Sequence, residues 1–185
     1  MGKRNETTFV VPLSSPIHFR EPQLDDGAAI WSLIKDIELL DLNSSYCYLM
    51  LTSYFRETCV VAESGQRLSG FVSGFIPPDK PQTLFIWQVA VEQQSRGKGV
   101  GTKMLQTLLA RDVCSSVKYL ETTVSPNNAA SRAMFLRIAN ALRTEMKPVG
   151  EFPSTLFPHG HETEQLLQIG PFSTRDAIHR EPSAR

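Results

Sequence analysis

At 185 residues the chain is long enough for one domain with a sizeable core, and too short for two of ordinary size. Its 19 basic and 19 acidic residues cancel and form no basic stripe, which argues against nucleic acid as a partner. No apolar run approaches a membrane span, the N-terminus lacks an apolar secretory core, and Glu6 stands where a myristoylation signal needs Ser or Thr, so no membrane association is expected.

Residues 1–16 lack sustained periodicity and are expected to be a flexible N-terminus. Ile17-His18-Phe19-Arg20 reads as a first strand, closed by Pro22. Asp25-Asp26-Gly27 is positioned to cap a helix with Ile30, Leu33, Ile34 and Ile37 on one face. The loop from Leu40 to Ser45 ends in a second cap. The helix after it carries Tyr46, Leu49, Met50 and Tyr54 on one side, which predicts a core-facing Tyr46. Strands are expected over 58–63 and 68–76, joined at Ser64-Gly65 as a hairpin. Pro77, Pro78 and Pro81 force a break before a central strand at 84–91. Strict alternation there puts Trp87 on one face with Phe85, Val89 and Val91, where core packing is the first reading. Past a glycine-rich turn, Met104, Leu105, Leu108 and Leu109 recur at helical spacing.

A strand over 117–124 follows, then a turn at Ser125-Pro126-Asn127-Asn128 and a helix carrying Ala130, Ala133, Met134, Ile138 and Leu142. Residues 143–172 resist assignment apart from a final strand at 166–169. The polar stretch 173–185 reads as a disordered tail, leaving 17–172 as the one folded domain. Cys47, Cys59 and Cys114 form neither a zinc-ligand pattern nor a disulfide framework. Each reads as a small buried hydrophobe, no metal is expected, and a reducing cytoplasm suits all three.

The stretch that organises the chain is Trp87-Gln88-Val89-Ala90-Val91, then Glu92-Gln93-Gln94-Ser95, then Arg96-Gly97-Lys98-Gly99-Val100-Gly101. Glycines at a helix N-terminus leave backbone N–H groups unshielded at the positive end of the helix dipole, which suits phosphate. A dinucleotide fingerprint fails because the third glycine comes one residue early, with Thr102 in its place. A Walker loop fails because Gly99 follows Lys98. A plain β–α turn without a ligand is the bland alternative. The pattern that fits is Gln/Arg-x-x-Gly-x-Gly/Ala, in two registers: from Gln94 with Gly97 and Gly99, or from Arg96 with Gly99 and Gly101. With the apolar strand before it, this resembles the pyrophosphate loop of the GNAT N-acetyltransferases.

The resemblance implies an α/β fold with a mixed central sheet flanked by helices, and acetyl-CoA as cosubstrate. Backbone groups of Val89, Ala90 and Val91 would pair with the pantetheine arm as an added strand does. The pyrophosphate would sit on Arg96, Gly97, Lys98, Gly99, Val100 and Gly101. Asn128, Ser131 and Phe135 match the family's second CoA-contacting helix. Many members place a tyrosine, the usual proton donor to the departing thiolate, where this chain has Phe135. Phenylalanine cannot donate, so either another group or water protonates the sulfur or the thiolate simply leaves, and the role stays unassigned.

A backbone N–H near Val89 is placed to stabilise the oxyanion. The amine needs a base, because reaching the neutral form of an ammonium of pKa ~10.4 at pH 7 costs roughly 4–5 kcal/mol. Asp41, in the apolar frame Leu39-Leu40-Asp41-Leu42, is one candidate; its competing reading is a turn acid. His161, Glu162 and Glu164 are the others, and a solvated loop would explain them equally well. Glu121, Thr122 and Thr123 end a strand expected to run parallel to the central one, where an open sheet leaves a crevice for substrate.

Longer segments narrow the resemblance. Leu40 to Leu49, Gly70 to Gly74, Leu84 to Val91, Leu120 to Ser131, and His161-x-x-Glu164 with Ile169 to Phe172 look like the L-2,4-diaminobutyrate acetyltransferases of ectoine biosynthesis. That family implies acetyl transfer to the 4-amino group of L-2,4-diaminobutyrate, a cytoplasmic homodimer, and no metal. It would make Asp41 and Glu164, with Trp87, the catalytic group. Substrate would then be bound by Asp41, Tyr46, Trp87, Thr122, His161 and Glu164. No arginine or lysine stands out as partner for the substrate carboxylate. The rival expectations are an acetyltransferase of another small amine, such as a polyamine or amino sugar, and a non-catalytic acetyl-CoA-binding module.

Overall fold

A computed structural model describes residues 16–37, 40–158 and 160–173, so the stretch 1–15, with nearly all of the expected flexible N-terminus, and the tail from 174 lie outside the described residues. Strands β1 (Ile17–Arg20), β2 (Val60–Ser64), β3 (Arg67–Phe75), β4 (Thr83–Val91), β5 (Tyr119–Val124), β6 (Met146–Phe152) and β7 (Glu164–Ile169) form one sheet in the order β1-β2-β3-β4-β5-β7-β6. Only β4 and β5 pair in parallel; the other neighbours are antiparallel. Helices α1 (Gly27–Lys35), α2 (Ser45–Tyr54), α3 (Val100–Leu109) and α4 (Ala129–Ala141) flank the sheet.

Period-2 alternation in the strands builds a core on each face. Val60, Ala62, Val72, Leu84 and Ile86 pack with Met104, Leu105 and Leu108 of α3 and Phe135 and Ile138 of α4. Val61, Phe71 and Ala90 turn the other way, under Ile30 and Ile34 of α1 and Tyr48 and Leu51 of α2. This is the expected mixed sheet with helices on both sides, and the hairpin falls where expected, turning at Gly65 with φ 64°. The cap before α1 lies one turn earlier than the sequence suggests: Asp26 accepts from the backbone N–H of Gln23 at 2.6 Å rather than closing onto α1.

Two expectations about faces are overturned. In α2 the buried residues are Tyr48, Leu51 and Thr52, whereas Tyr46 and Tyr54 are 67% and 74% exposed. Apolar residues run all round this helix, so periodicity could not select a side, and Tyr46 is not a core residue. In β4, Ser73 pairs with Gln88 but Gly74 pairs with Ile86, so Trp87 is an extra residue bulged out of the ladder. The bulge reverses the alternation. Leu84 and Ile86 face the α3 core before it, and Val89 and Val91 face that same core after it, while Ala90 joins the α1/α2 side. Phe85 therefore does not share a face with Val89 and Val91.

The strand missed in the sequence is β6. It is an edge strand, largely exposed, with Pro148 inside it and a ladder shift between Pro148 and Gly150. Each of these features erases an alternating pattern. The feature that matters most for function is the length of the parallel pairing. β4 and β5 pair only from Thr83–Tyr119 to Ile86–Thr122, and then part. The edge of β4 from Trp87 to Val91 is left without a strand beside it.

Candidate active site

The parted strands open a cleft of about 910 Å³. Trp87, Gln88 and Val89 line it from β4, Thr122 and Thr123 from β5, and Asn128, Ser131 and Phe135 from α4. The loop between α1 and α2 contributes Asp41 and Asn43, and the segment before β7 contributes His161, Glu162 and Glu164. A second groove of about 540 Å³ runs past Val91, Gly97, Gly99, Gly101 and Thr102 and shares Leu40, Val89, Asn128 and Ser131 with the first. The two cavities therefore meet at Val89.

The backbone of the groove is arranged as an anion would need it. Gly97 and Gly99 adopt φ 74° and 77°, the left-handed conformation that glycine takes without strain. Gly101 lies inside α3, where an added Cβ would come within 2.7 Å of Met134 Sδ. The left-handed glycines are thus Gly97 and Gly99, while Gly101 opens the first turn of α3 and lines the same groove. The N–H of Lys103 reaches the Gly99 carbonyl at 2.9 Å, and the amides before it sit at the unsatisfied N-terminus of α3. Arg96 donates Nε–H to the Val91 carbonyl at 3.0 Å, tying the loop to β4. Arg137 of α4 lines the groove, a cation the sequence reading missed, whereas Lys98 is not among the lining residues. Asn128 caps α4 by accepting from the Ser131 N–H at 3.0 Å, which seats both residues where groove and cleft join.

At the other side of Val89, residues 120 positions apart meet. His161 Nε2 lies 3.1 Å from Asp41 Oδ2, and its Nδ1 lies 2.7 Å from the Glu162 carbonyl. The ring stacks on Phe157 at 3.9 Å between centroids. With an acceptor on each nitrogen, only the doubly protonated ring donates to both. The Glu162 carbonyl, chiefly, and then Asp41 hold its pKa above the ordinary histidine value against the opposing effect of burial. Glu162 itself accepts from Asn127 Nδ2 at 2.6 Å. The Asp41 side chain is 81% exposed, so the apolar frame read in the sequence does not enclose it.

Gln88, which the sequence reading passed over, positions this loop. It is 5% exposed and donates Nε2–H to the Asp41 carbonyl at 2.9 Å, while its Oε1 meets no partner. Trp87 is 42% exposed and faces the cleft, because the bulge lifts it out of the core where alternation had placed it. Thr122 lines the cleft and is 2% exposed. Tyr46 does not reach the cleft: it lies two residues, about 200°, round α2 from the buried Tyr48. Phe135 is 2% exposed at the cleft wall, and no tyrosine or cysteine is among the described residues lining either cavity.

Among the described residues, no group of three or more His, Cys, Asp or Glu side chains is arranged to hold a metal ion. Nor is any described helix long and apolar enough to cross a membrane.

A sheet split beside a bulge, with a phosphate-suited loop at one end and an acid–histidine pair at the other, is the architecture of an acyl-CoA-dependent N-acyltransferase. The chain belongs to the acetyltransferase (GNAT) family, whose model matches residues 28–139. Within that family it is similar to L-2,4-diaminobutyric acid acetyltransferases. The protein of that name from Marinococcus halophilus is 48% identical over 85% of this chain and 91% of its own length. The one from Virgibacillus pantothenticus is 52% identical over 81% and 95%. Among solved structures, the diaminobutyrate acetyltransferase of Paenibacillus lautus, in complex with L-2,4-diaminobutyric acid and coenzyme A, superposes with a TM-score of 0.83 at 42% identity. That match covers 86% of this chain and 97% of the other.

Proposed function

We propose that the chain transfers the acetyl group of acetyl-CoA to the 4-amino group of L-2,4-diaminobutyrate, releasing CoA and the N4-acetyl product for ectoine biosynthesis. The observation that carries this reading is the meeting of groove and cleft at Val89. A thioester held on the groove would there stand face to face with an amine held in the cleft.

The residues divide the work. Amides of the Gly97–Gly101 loop, with Arg96 and Arg137, take the diphosphate. The strand-free edge of β4 takes the pantetheine arm through the backbone of Val89 and Val91. The Val89 N–H holds the carbonyl oxygen as it gains charge. Asp41 draws the proton from the γ-ammonium, directly or through water, and His161 fixes the carboxylate by charge and hydrogen bond. Glu164 keeps the site negative toward the incoming diamine, and Trp87 and Thr122 wall the reacting nitrogen. The nitrogen attacks the carbonyl carbon, the C–S bond breaks, and the nitrogen's second proton passes through water to the departing thiolate, since Phe135 has none to give. We further propose a cytoplasmic homodimer. Tyr46, Leu49, Tyr54 and Phe55 support it as exposed apolar side chains around α2 that a second copy would cover.

The test is thiol release with the purified chain, acetyl-CoA and a panel of amines, with the product's acetyl position read by NMR. Diaminobutyrate acetylated at N4, well ahead of spermidine and amino sugars, is the expected result. Equal or better turnover of spermidine would overturn the substrate, and CoA binding with no turnover on any amine would leave a binding module.

A further inference from the structure

Away from the acid–histidine pair, the same cleft contains a second charged unit. Glu121 of β5 is 4% exposed yet lines the cleft. Lys80, on the segment before β4, lines it too and reaches both Glu121 oxygens, at 3.2 and 3.5 Å. Gln168 of β7 donates Nε2–H to Glu121 Oε1 at 3.0 Å. A buried carboxylate costs stability unless its partners compensate, and a hydrophobe of similar volume would serve the fold as well. The Lys80 side chain is half exposed and its ammonium has three donors, with Glu121 its one hydrogen-bonding partner among the described residues. A cation and an anion thus stand side by side on the wall of a cavity with donors and acceptors to spare.

We propose that Lys80 and Glu121 read the amino-acid end of the substrate. Lys80 pairs with the α-carboxylate and Glu121 accepts from the α-ammonium, which leaves the γ-nitrogen free to react. The inference rests on the diaminobutyrate reading and adds to it the contacts that select a zwitterion over a plain amine. The reach agrees. Phe85 is the register partner of Glu121 and lies four residues before Val89, about 13 Å along a strand before the bulge shortens it. From γ-nitrogen to carboxylate carbon the substrate spans four bonds, about 5 Å. Adding ~3 Å of attack distance and ~3 Å of hydrogen bond brings the total to about 11 Å. Asp79, exposed beside Lys80, lines the same cleft.

Three substrates separate the contacts. L-2,4-Diaminobutyrate carries both groups, 1,3-diaminopropane lacks the carboxylate, and 4-aminobutyrate lacks the α-ammonium. We expect Lys80→Met to lower kcat/KM for diaminobutyrate by on the order of 100-fold while leaving 1,3-diaminopropane nearly unchanged. Glu121→Gln should weaken diaminobutyrate far more than 4-aminobutyrate. CoA affinity should stay at the wild-type value in both. Where a variant fails to fold, Lys80→Arg and Glu121→Asp keep the pair but shift its charges, and the same substrate-selective pattern is expected. Losses that are uniform across the three substrates, or absent, overturn this proposal while the diaminobutyrate reading stands. A wild-type chain that turns over none of the three overturns that reading and this proposal together.

Discussion

Asp41 and His161 constrain each other's protonation. Because acceptors face both ring nitrogens, His161 should titrate above the ordinary value of 6.5. Its folded pKa is the raised one, so the stabilisation it contributes is complete below about pH 6.5 and fades as pH climbs through the raised value. Proton NMR of the ring checks this, and Asp41→Asn should bring the titration down by removing the carboxylate charge beside the ring. Asp41→Ala should abolish turnover and leave CoA affinity nearly intact, since the cofactor groove does not include Asp41. Parallel loss of both would assign Asp41 to folding instead. Gln88→Leu removes the bond that holds the Asp41 carbonyl. We expect a raised KM for the amine with CoA binding unchanged, measured by steady-state kinetics and titration.

The two elements flanking Val89 act separately. Gly99→Ala forces a side chain into a left-handed backbone, at a cost of roughly 1–2 kcal/mol, and moves the amides that face the diphosphate. CoA affinity measured by calorimetry should fall about tenfold or more, while the His161 titration stays as in the wild type. That loop was legible in the sequence because glycine spacing reports backbone conformation directly. Which of its three glycines turn left-handed was not, since a glycine packed against Met134 and a glycine at positive φ are the same letter. Trp87 was misread for a related reason: a bulge adds a residue without changing composition, so strict alternation put it in the core. The Asp41–His161 pair joins positions that only the folded sheet brings together, although both residues had been singled out separately. Lys80 escaped notice because its partner lies across the sheet.

At the scale of the molecule, the two cores enclose two of the three thiols. Burial pushes Cys59 up to about 12 and Cys114 up to about 11, from an ordinary 9.0. The folded pKa values are raised, so stability is unaffected below pH 9 and erodes as pH rises from 9 toward 11–12, where the unfolded chain ionises first. Urea midpoints measured from pH 8 to 11 should fall in that window. Both thiols should also resist a disulfide reagent at pH 8 until the chain unfolds.

The four-residue truce between β4 and β5 has a consequence for tolerance to change. A guest that docks along main-chain amides takes no notice of which side chains surround them. Val89 or Val91 can be exchanged for isoleucine without erasing the site, whereas a proline at Val89 would silence an N–H at one stroke. Drift in the letters leaves such a berth intact; only a change in the path of the chain closes it.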